Sequence, residues 1–194
     1  MVSQPVRLTR GERKARTREE LLAAGDRLFR ESGFHGTSLD LVAASAGYTK
    51  GAVYSNFASK EDLFFAIYER RVEEAFARNS EALADASEEA PLELTRAVLS
   101  RSDPGWMAVF FEFWAHALRN PELRTRFLAL HRRAQAPLVA HARKWLPEDV
   151  DVEGWTRANT AMVNGMQLER LTDPELDAAD LTVTMLEISM RGIR

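Results

Sequence analysis

The sequence has no cysteine and only four histidines. Without cysteine there can be no disulfide, no cysteine-ligated zinc and no thiol catalysis. The histidines, at positions 35, 116, 131 and 141, lack the paired spacing of metal ligands, and no glycine-rich phosphate loop or nucleophile motif is present. The sequence therefore predicts no catalytic residue, no metal and no cofactor, and an α-helical enzyme is the least favoured class of function.

Long hydrophobic runs are also missing. The longest apolar run extends from Trp106 to Phe111, whereas a membrane-spanning helix needs about 18 apolar residues. The basic N-terminus is not followed by the apolar stretch of an export signal. We therefore expect a folded cytoplasmic protein with no membrane partner.

Charge is distributed unevenly along the chain. Residues 1–60 carry ten Lys and Arg against six Asp and Glu, a net charge of +4, so the remainder carries −7 of the total of −3. A basic segment of this kind is either a surface that binds a polyanion or a solvated charged tail.

Helical periodicity runs through almost the whole sequence, and no alternating pattern predicts a strand. The fold class is therefore all-α. A first helix over 12–32 should end at Ser32-Gly33, followed by helices over 38–45 and 50–57 and a long helix from Ser59 to about Ala86. Thr37 with Asp40 fits a capping box, and Thr49 and Ser59 fit N-caps. Five more helices are predicted, at about 91–102, 106–119, 121–145 (with a bend at Pro137), 155–171 and 176–190, with "DPG" as a turn before the second of these.

Two short helices joined by a glycine-containing turn, behind a longer first helix, are the arrangement of a helix-turn-helix DNA-binding domain. Val53 and Phe57 should anchor the third helix in the core. Gly51, Ala52 and Ser55 should then face outward, so that the helix can enter the major groove and Lys50 can reach guanine acceptors.

The same segment resembles the DNA-binding domain of the TetR family of bacterial transcriptional regulators. The shared pattern is "A..LF...G", then "T", then "A..AG...G..Y..F..K..L". It is carried here by Ala24, Leu28, Phe29, Gly33, Thr37, Ala43, Ala46, Gly47, Gly51, Tyr54, Phe57, Lys60 and Leu63. The resemblance covers about the first third of the chain and is loose beyond it.

The resemblance implies a set of DNA-binding residues: Thr37, Ser38, Thr49, Lys50, Gly51, Ala52, Tyr54, Ser55, Asn56 and Lys60. Thr37 and Ser38 would hold phosphates on one side of the groove, and Tyr54, Asn56 and Lys60 would hold them on the other. Asp40 either completes the cap of Thr37 or accepts a hydrogen bond from a cytosine amino group. The arginine-rich arm from Arg7 to Arg18 either enters the minor groove or attracts phosphates diffusely.

We expect two domains, residues 1–60 for DNA binding and 61–194 for dimerisation and effector binding. The aromatic helix that starts at Trp106 has apolar side chains over most of its circumference, which indicates a central helix. It could line an effector pocket, or it could simply be core. The pocket residues would be Trp106, Phe110, Phe113, Trp114, Met162 and Met166.

The last two helices each have two apolar sides, which one core cannot easily cover. We therefore predict a homodimer through a four-helix bundle. The predicted interface residues are Ala161, Gly165, Leu168, Met185 and Ile188.

The predicted function is a transcriptional regulator that binds double-stranded DNA, most simply a repressor released by a small, mostly apolar effector. The alternative is a DNA-binding regulator whose C-terminal domain only dimerises.

Overall fold

A computed structural model describes residues 9–84, 87 and 89–192, apart from the side chain of residue 82. Within these residues the chain forms ten helices and no strand, which confirms the all-α fold class. The helices fall into two compact units, with the boundary between Tyr68 and Glu69. This boundary lies inside the fourth helix, eight residues beyond the expected one.

The first unit contains α1 to α3 and the start of α4. The bounds are α1 Arg10–Gly36, α2 Leu39–Ser45, α3 Lys50–Tyr54 and α4 Lys60–Arg78. Its core is aromatic, because Phe29 and Phe34 of α1 stack with ring centroids 5.7 Å apart and Phe64 of α4 meets both rings edge-on. Helices α1 and α2 pack on each other, as do α2 and α3.

Glycine is required at two joints of this unit. Gly33 has φ 73° and kinks α1 where its end was predicted, and Gly47 has φ 74° in the turn between α2 and α3. Residues with a Cβ rarely adopt such positive φ values. These two glycines therefore set the directions in which α2 and α3 leave the preceding helix.

The cap predicted at Thr37 is wrong. Ser38 is the N-cap of α2, and its hydroxyl accepts a hydrogen bond from the Leu41 amide. The Thr37 hydroxyl instead donates back to the Gly33 carbonyl over 2.9 Å, which closes the end of α1. The caps predicted at Thr49 and Ser59 are confirmed, because these hydroxyls accept from the amides of Ala52 and Asp62.

Two helix bounds differ from the prediction. The first helix begins at Arg10 rather than at 12, with Thr9 and Glu12 forming a capping box, so that most of the arginine-rich segment is helical; residues 7 and 8 lie outside the described residues. The long helix predicted to reach Ala86 breaks earlier, since α4 ends at Arg78 and a short α5 follows; residues 85 and 86 lie outside the described residues. At the break, the Asn79 side-chain amide donates to the Ala75 carbonyl and its oxygen accepts from Arg101.

The second unit contains the end of α4 and six more helices. Their bounds are α5 Ser80–Ala84, α6 Ala90–Ser100, α7 Pro104–Leu118, α8 Pro121–Ala142, α9 Val152–Thr172 and α10 Ala178–Arg191. Helices α7, α8 and α9 pack against one another, and α10 packs on α6 and α9. The "DPG" segment is not a separate turn, because Asp103 caps α7 and Pro104 is its first residue.

None of the helices in the described part of the chain is long and apolar enough to cross a membrane.

Candidate DNA-binding interface

The third helix is anchored from below by the two predicted core residues. Val53 is fully buried and Phe57 is 3% exposed. The guanidinium of Arg18 on α1 lies 4.6 Å from the centroid of the Phe57 ring and donates to the Asn56 carbonyl over 3.3 Å. The end of α3 is thus held by an arginine that the sequence had placed in the basic arm.

Above these anchors lies a polar, small-residue surface, which we call the reading surface. Its exposed members are Ser38, Thr49, Lys50, Gly51, Tyr54 and Ser55. Tyr54 is 54% exposed, so its ring and hydroxyl extend from the unit. Ala52 and Asn56 are half-buried, and the Asn56 amide donates to the Ala52 carbonyl over 2.8 Å. These eight of the ten predicted DNA-binding residues are exposed or half-buried.

The other two predicted DNA-binding residues are Thr37 and Lys60. Thr37 is only 3% exposed and its hydroxyl is used within α1, so we leave it out of the interface. The Lys60 ammonium donates to the Phe34 carbonyl over 2.7 Å and lies 4.4 Å from the centroid of the Phe34 ring. Lys60 therefore joins the start of α4 to the end of α1, in addition to any contact with a phosphate.

Asp40 does not complete a cap of Thr37, one of the two roles considered from the sequence, because Ser38 is the N-cap of α2. One of its carboxylate oxygens, Oδ2, instead forms an ion pair with the Lys50 ammonium. The hydrogen bond to Asp40 and the negative charge of that carboxylate raise the pKa of Lys50. The residue predicted to read guanine is thus held by an acid of the preceding helix.

Leu41, on the same helix as Asp40, is an exposed residue that sequence reasoning missed. It is 52% exposed, whereas Leu39, Val42 and Ala43 of α2 are buried. The helical period could have identified it, because an apolar residue outside the i, i+3, i+4 stripe of a short helix points away from the core.

The predicted effector residues lie in the second unit, in and around an aromatic cluster on α7 and α8. Phe127 of α8 contacts three rings of α7, with centroids 5.8 Å from Phe110, 5.8 Å from Phe113 and 5.4 Å from Trp114. His131 stacks on Phe127 at 5.7 Å. We call Phe110, Phe113, Trp114, Phe127 and His131 the aromatic cluster; the sequence had not assigned its two α8 members to the site.

The other three predicted effector residues lie outside this cluster. Trp106 is buried at the start of α7, with the Arg71 guanidinium 4.5 Å from its ring centroid. Met162 and Met166 are half-buried on α9, a helix that packs against α7 and α8.

The predicted dimer residues form an exposed stripe on α9 and α10, the apolar α9–α10 face. Its large members are Leu168, Leu181, Met185 and Ile188, exposed by 49, 44, 48 and 55%. Ala161 and Gly165 are also exposed, and a Cβ built on Gly165 would have no neighbour within 4 Å.

Comparison with known proteins identifies the class of protein. Residues 21–67 match the family model of the bacterial regulatory proteins of the TetR family, and residues 88–189 match the model for the C-terminal domain of BetI-type transcriptional repressors. The chain belongs to the TetR family, and it is a DNA-binding transcriptional regulator.

Individual relatives agree with this assignment. The chain is 24% identical to the transcriptional repressor AcnR of Corynebacterium efficiens over 189 residues, which cover 93% of this chain and 96% of AcnR. It is 26% identical to Salmonella enterica GusR, with a TM-score of 0.69, over 95% of this chain and 96% of that one. A transcriptional regulator of Saccharomonospora viridis in complex with choline has the same fold, with a TM-score of 0.72 at 21% identity, over 91% of this chain and 96% of that one.

Proposed function

We propose that this regulator is a repressor that reads its operator through the reading surface and releases it when a small molecule binds the second unit. The observation that supports the proposal most strongly is the character of α3. Its small and polar side chains are exposed over a buried Val53, and small side chains let a helix backbone come close to base edges.

Each side chain of the reading surface has a chemically distinct role. Lys50 donates to the O6 and N7 acceptors of a guanine, and the Ala52 methyl contacts a thymine methyl. The hydroxyls of Ser38 and Tyr54 donate to phosphates, with Asn56 and Lys60 beside them, and these contacts position the protein without reading sequence.

The regulator acts as a homodimer that joins through the apolar α9–α10 face. An exposed stripe of four large apolar side chains is unfavourable in water. Burial against its own symmetric copy gives a four-helix bundle, and the absence of a side chain at Gly165 allows the helices to come close. A dimer of this kind binds a roughly palindromic site with half-sites about 34–36 Å, or a multiple of that distance, apart.

The aromatic cluster supports an effector that is aromatic or that carries a quaternary ammonium, because aromatic faces attract both. Such an effector releases DNA only if it binds the DNA-incompetent arrangement better. A tenfold loss of operator affinity needs about 1.4 kcal/mol of coupling.

The DNA-reading role is tested with a duplex selected from a random pool by the wild-type protein and a shuffled duplex of equal length and composition. Lys50→Ala should lower the ratio of the affinity for the selected duplex to that for the shuffled duplex about 10- to 100-fold. Tyr54→Phe should weaken both equally, because a lost phosphate contact carries no sequence information. Arg119→Ala, which removes a charge from the exposed end of α7, is the control and should change neither. A wild-type protein that binds both duplexes equally would contradict the proposal.

The effector role is tested by thermal shift against choline and a panel of aromatic metabolites, because a ligand of the folded state raises its stability. A compound that stabilises the wild type should stabilise Trp114→Ala less, while the unliganded variant keeps its affinity for the selected duplex. If no compound changes the melting temperature, the regulator whose second unit only dimerises replaces this part of the proposal.

A further inference from the structure

Asp40 of α2 and Lys50 of α3 form an ion pair, whose role in recognition rests on the DNA-reading role proposed above. The two residues are ten positions apart and belong to the two helices of the helix-turn-helix. Their side chains are 42% and 71% exposed, so the pair lies at the surface that is to meet DNA. An exposed ion pair by itself stabilises a fold very little. Its position on the reading surface suggests that it serves recognition instead.

The two carboxylate oxygens of Asp40 have different surroundings. Oδ1 is buried and has no hydrogen-bond partner among the described residues, while Oδ2 accepts from the Lys50 ammonium. Oδ2 is therefore the oxygen that meets Lys50. The location of Oδ2 then determines where the ammonium lies.

A lysine needs such a constraint more than most residues that read bases. Its ammonium is carried on four flexible methylenes and can reach any phosphate nearby as readily as a base. A phosphate contact adds affinity for every sequence, whereas a guanine contact adds affinity for one. The Asp40 carboxylate restricts the position of the Lys50 ammonium. Its negative charge also reduces the attraction of that ammonium to phosphates.

Direct reading of a cytosine by Asp40 fits this geometry poorly. Oδ1 is covered by protein, and Oδ2 is already engaged by Lys50. A cytosine amino group would first have to displace the lysine.

We propose that Asp40 is the positioning residue for Lys50, so that the ion pair, rather than the lysine alone, determines specificity at the base pair that Lys50 contacts. Asp40 acts through Lys50 and touches no base itself.

The main test uses Asp40→Glu, which keeps the charge and moves the carboxylate outward by one methylene. Affinities for the wild-type-selected duplex and for its shuffled control are measured by fluorescence anisotropy. The selected-to-shuffled ratio should fall by roughly tenfold, about the lower end of one good base contact, while the affinity for the shuffled duplex stays unchanged. Glu74→Asp is the matched control, because Glu74 of α4 also pairs with arginines, at 3.8 Å from Arg70 and 3.6 Å from Arg78.

A double-mutant cycle separates a positioning role from an independent one. If Asp40 acts through Lys50, Asp40→Glu combined with Lys50→Ala should discriminate no worse than Lys50→Ala alone. Losses that add, or an Asp40→Glu protein that matches wild type on both duplexes, would overturn the inference. A wild-type protein without preference for the selected duplex would instead refute the DNA-reading role itself.

A second variant gives an independent readout. Asp40→Asn removes the charge and releases the ammonium toward phosphates. Its affinity for the shuffled duplex should rise roughly three- to tenfold at about 0.1 M salt, and the slope of log K against log salt should steepen by about one. An unchanged slope in a variant with a wild-type circular dichroism spectrum would also overturn the inference.

Discussion

Helix α3 exposes Lys50, Gly51 and Tyr54 and buries a single valine, whereas on α7 the side chains of Phe110 and Phe113 are almost completely buried. The difference bears on the roles proposed for the two helices, base reading for α3 and effector binding for α7. A helix that reads bases does so through exposed side chains, and the helical period of the sequence predicts which residues these are. A helix that binds an effector works through space left between packed rings, and the sequence does not specify that space.

The largest expected effect comes from a substitution in the buried helix, α7. Phe113→Ala removes a fully buried ring that contacts Phe127, and should lower the free energy of unfolding by about 3–5 kcal/mol. Chemical denaturation followed by circular dichroism measures this loss. A loss below about 1 kcal/mol would show that the aromatic cluster is loosely packed.

The next effect concerns the dimer. Gly165→Leu places a large side chain on an exposed position that has room in the single chain, so the variant should fold but fail to pair. Sedimentation at micromolar concentration should show a dimer for wild type and at least a hundredfold weaker association for the variant, about 2.7 kcal/mol. If the variant sediments as an unchanged dimer, the helices do not meet at Gly165.

A smaller effect is expected from the cap of α3. Thr49→Ala removes the hydroxyl that accepts from the Ala52 amide, and should cost about 1 kcal/mol of unfolding free energy. Thr125→Ala is the control, because Thr125 lies exposed inside α8, where alanine is the better helix former. Equal losses in the two variants would mean that the cap contributes nothing.

The smallest effect is the pH dependence that His131 confers. Partial burial, and to a lesser degree the charge of Arg157, lower the pKa of His131. The Gln135 side-chain nitrogen lies 3.1 Å from its Nε2, which suits a neutral ring that accepts from the amide.

His131 takes up its proton at a different pH in the folded and in the unfolded chain, and this difference makes stability depend on pH. The unfolded chain takes up the proton near the ordinary pKa of about 6.5, whereas the folded chain takes it up only at lower pH. The contribution of neutral His131 to the free energy of unfolding is therefore fully present above about pH 7. It declines as the pH falls through about 6.5 toward the lowered pKa of the folded state. Between pH 7.5 and 5.5 the wild-type melting temperature should fall further than that of His131→Phe; parallel curves would show that His131 does not titrate differently on folding.

The sequence predicted most of the first unit because its signals there are local. A hydroxyl three residues before an amide predicts the caps at Thr49 and Ser59, and Val53 and Phe57 are one helical turn apart. Thr37 was misassigned because two hydroxyls stand side by side. The kink at Gly33 turns the Thr37 hydroxyl back toward α1 and leaves Ser38 to cap α2. Which hydroxyl becomes the cap therefore depends on the backbone angle of Gly33.

The missed features depend on contacts between distant residues. The Asp40–Lys50 pair joins two helices, and Asn79, which lies between α4 and α5, accepts from Arg101, 22 residues further along the chain. The aromatic cluster needs Phe127 and His131 of a second helix. Helical periodicity identifies the buried face of each helix but does not specify which residue of another helix it meets.

The proposed reading of DNA depends on a contact between Lys50 and a guanine. The most direct measurement is methylation interference on the selected duplex, since a methyl group at guanine N7 blocks a donor in the major groove. We expect a guanine in each half-site whose methylation impairs binding of the wild type but no longer impairs the residual binding of Lys50→Ala. Identical interference patterns for the two proteins would show that Lys50 reads no guanine and would contradict the account.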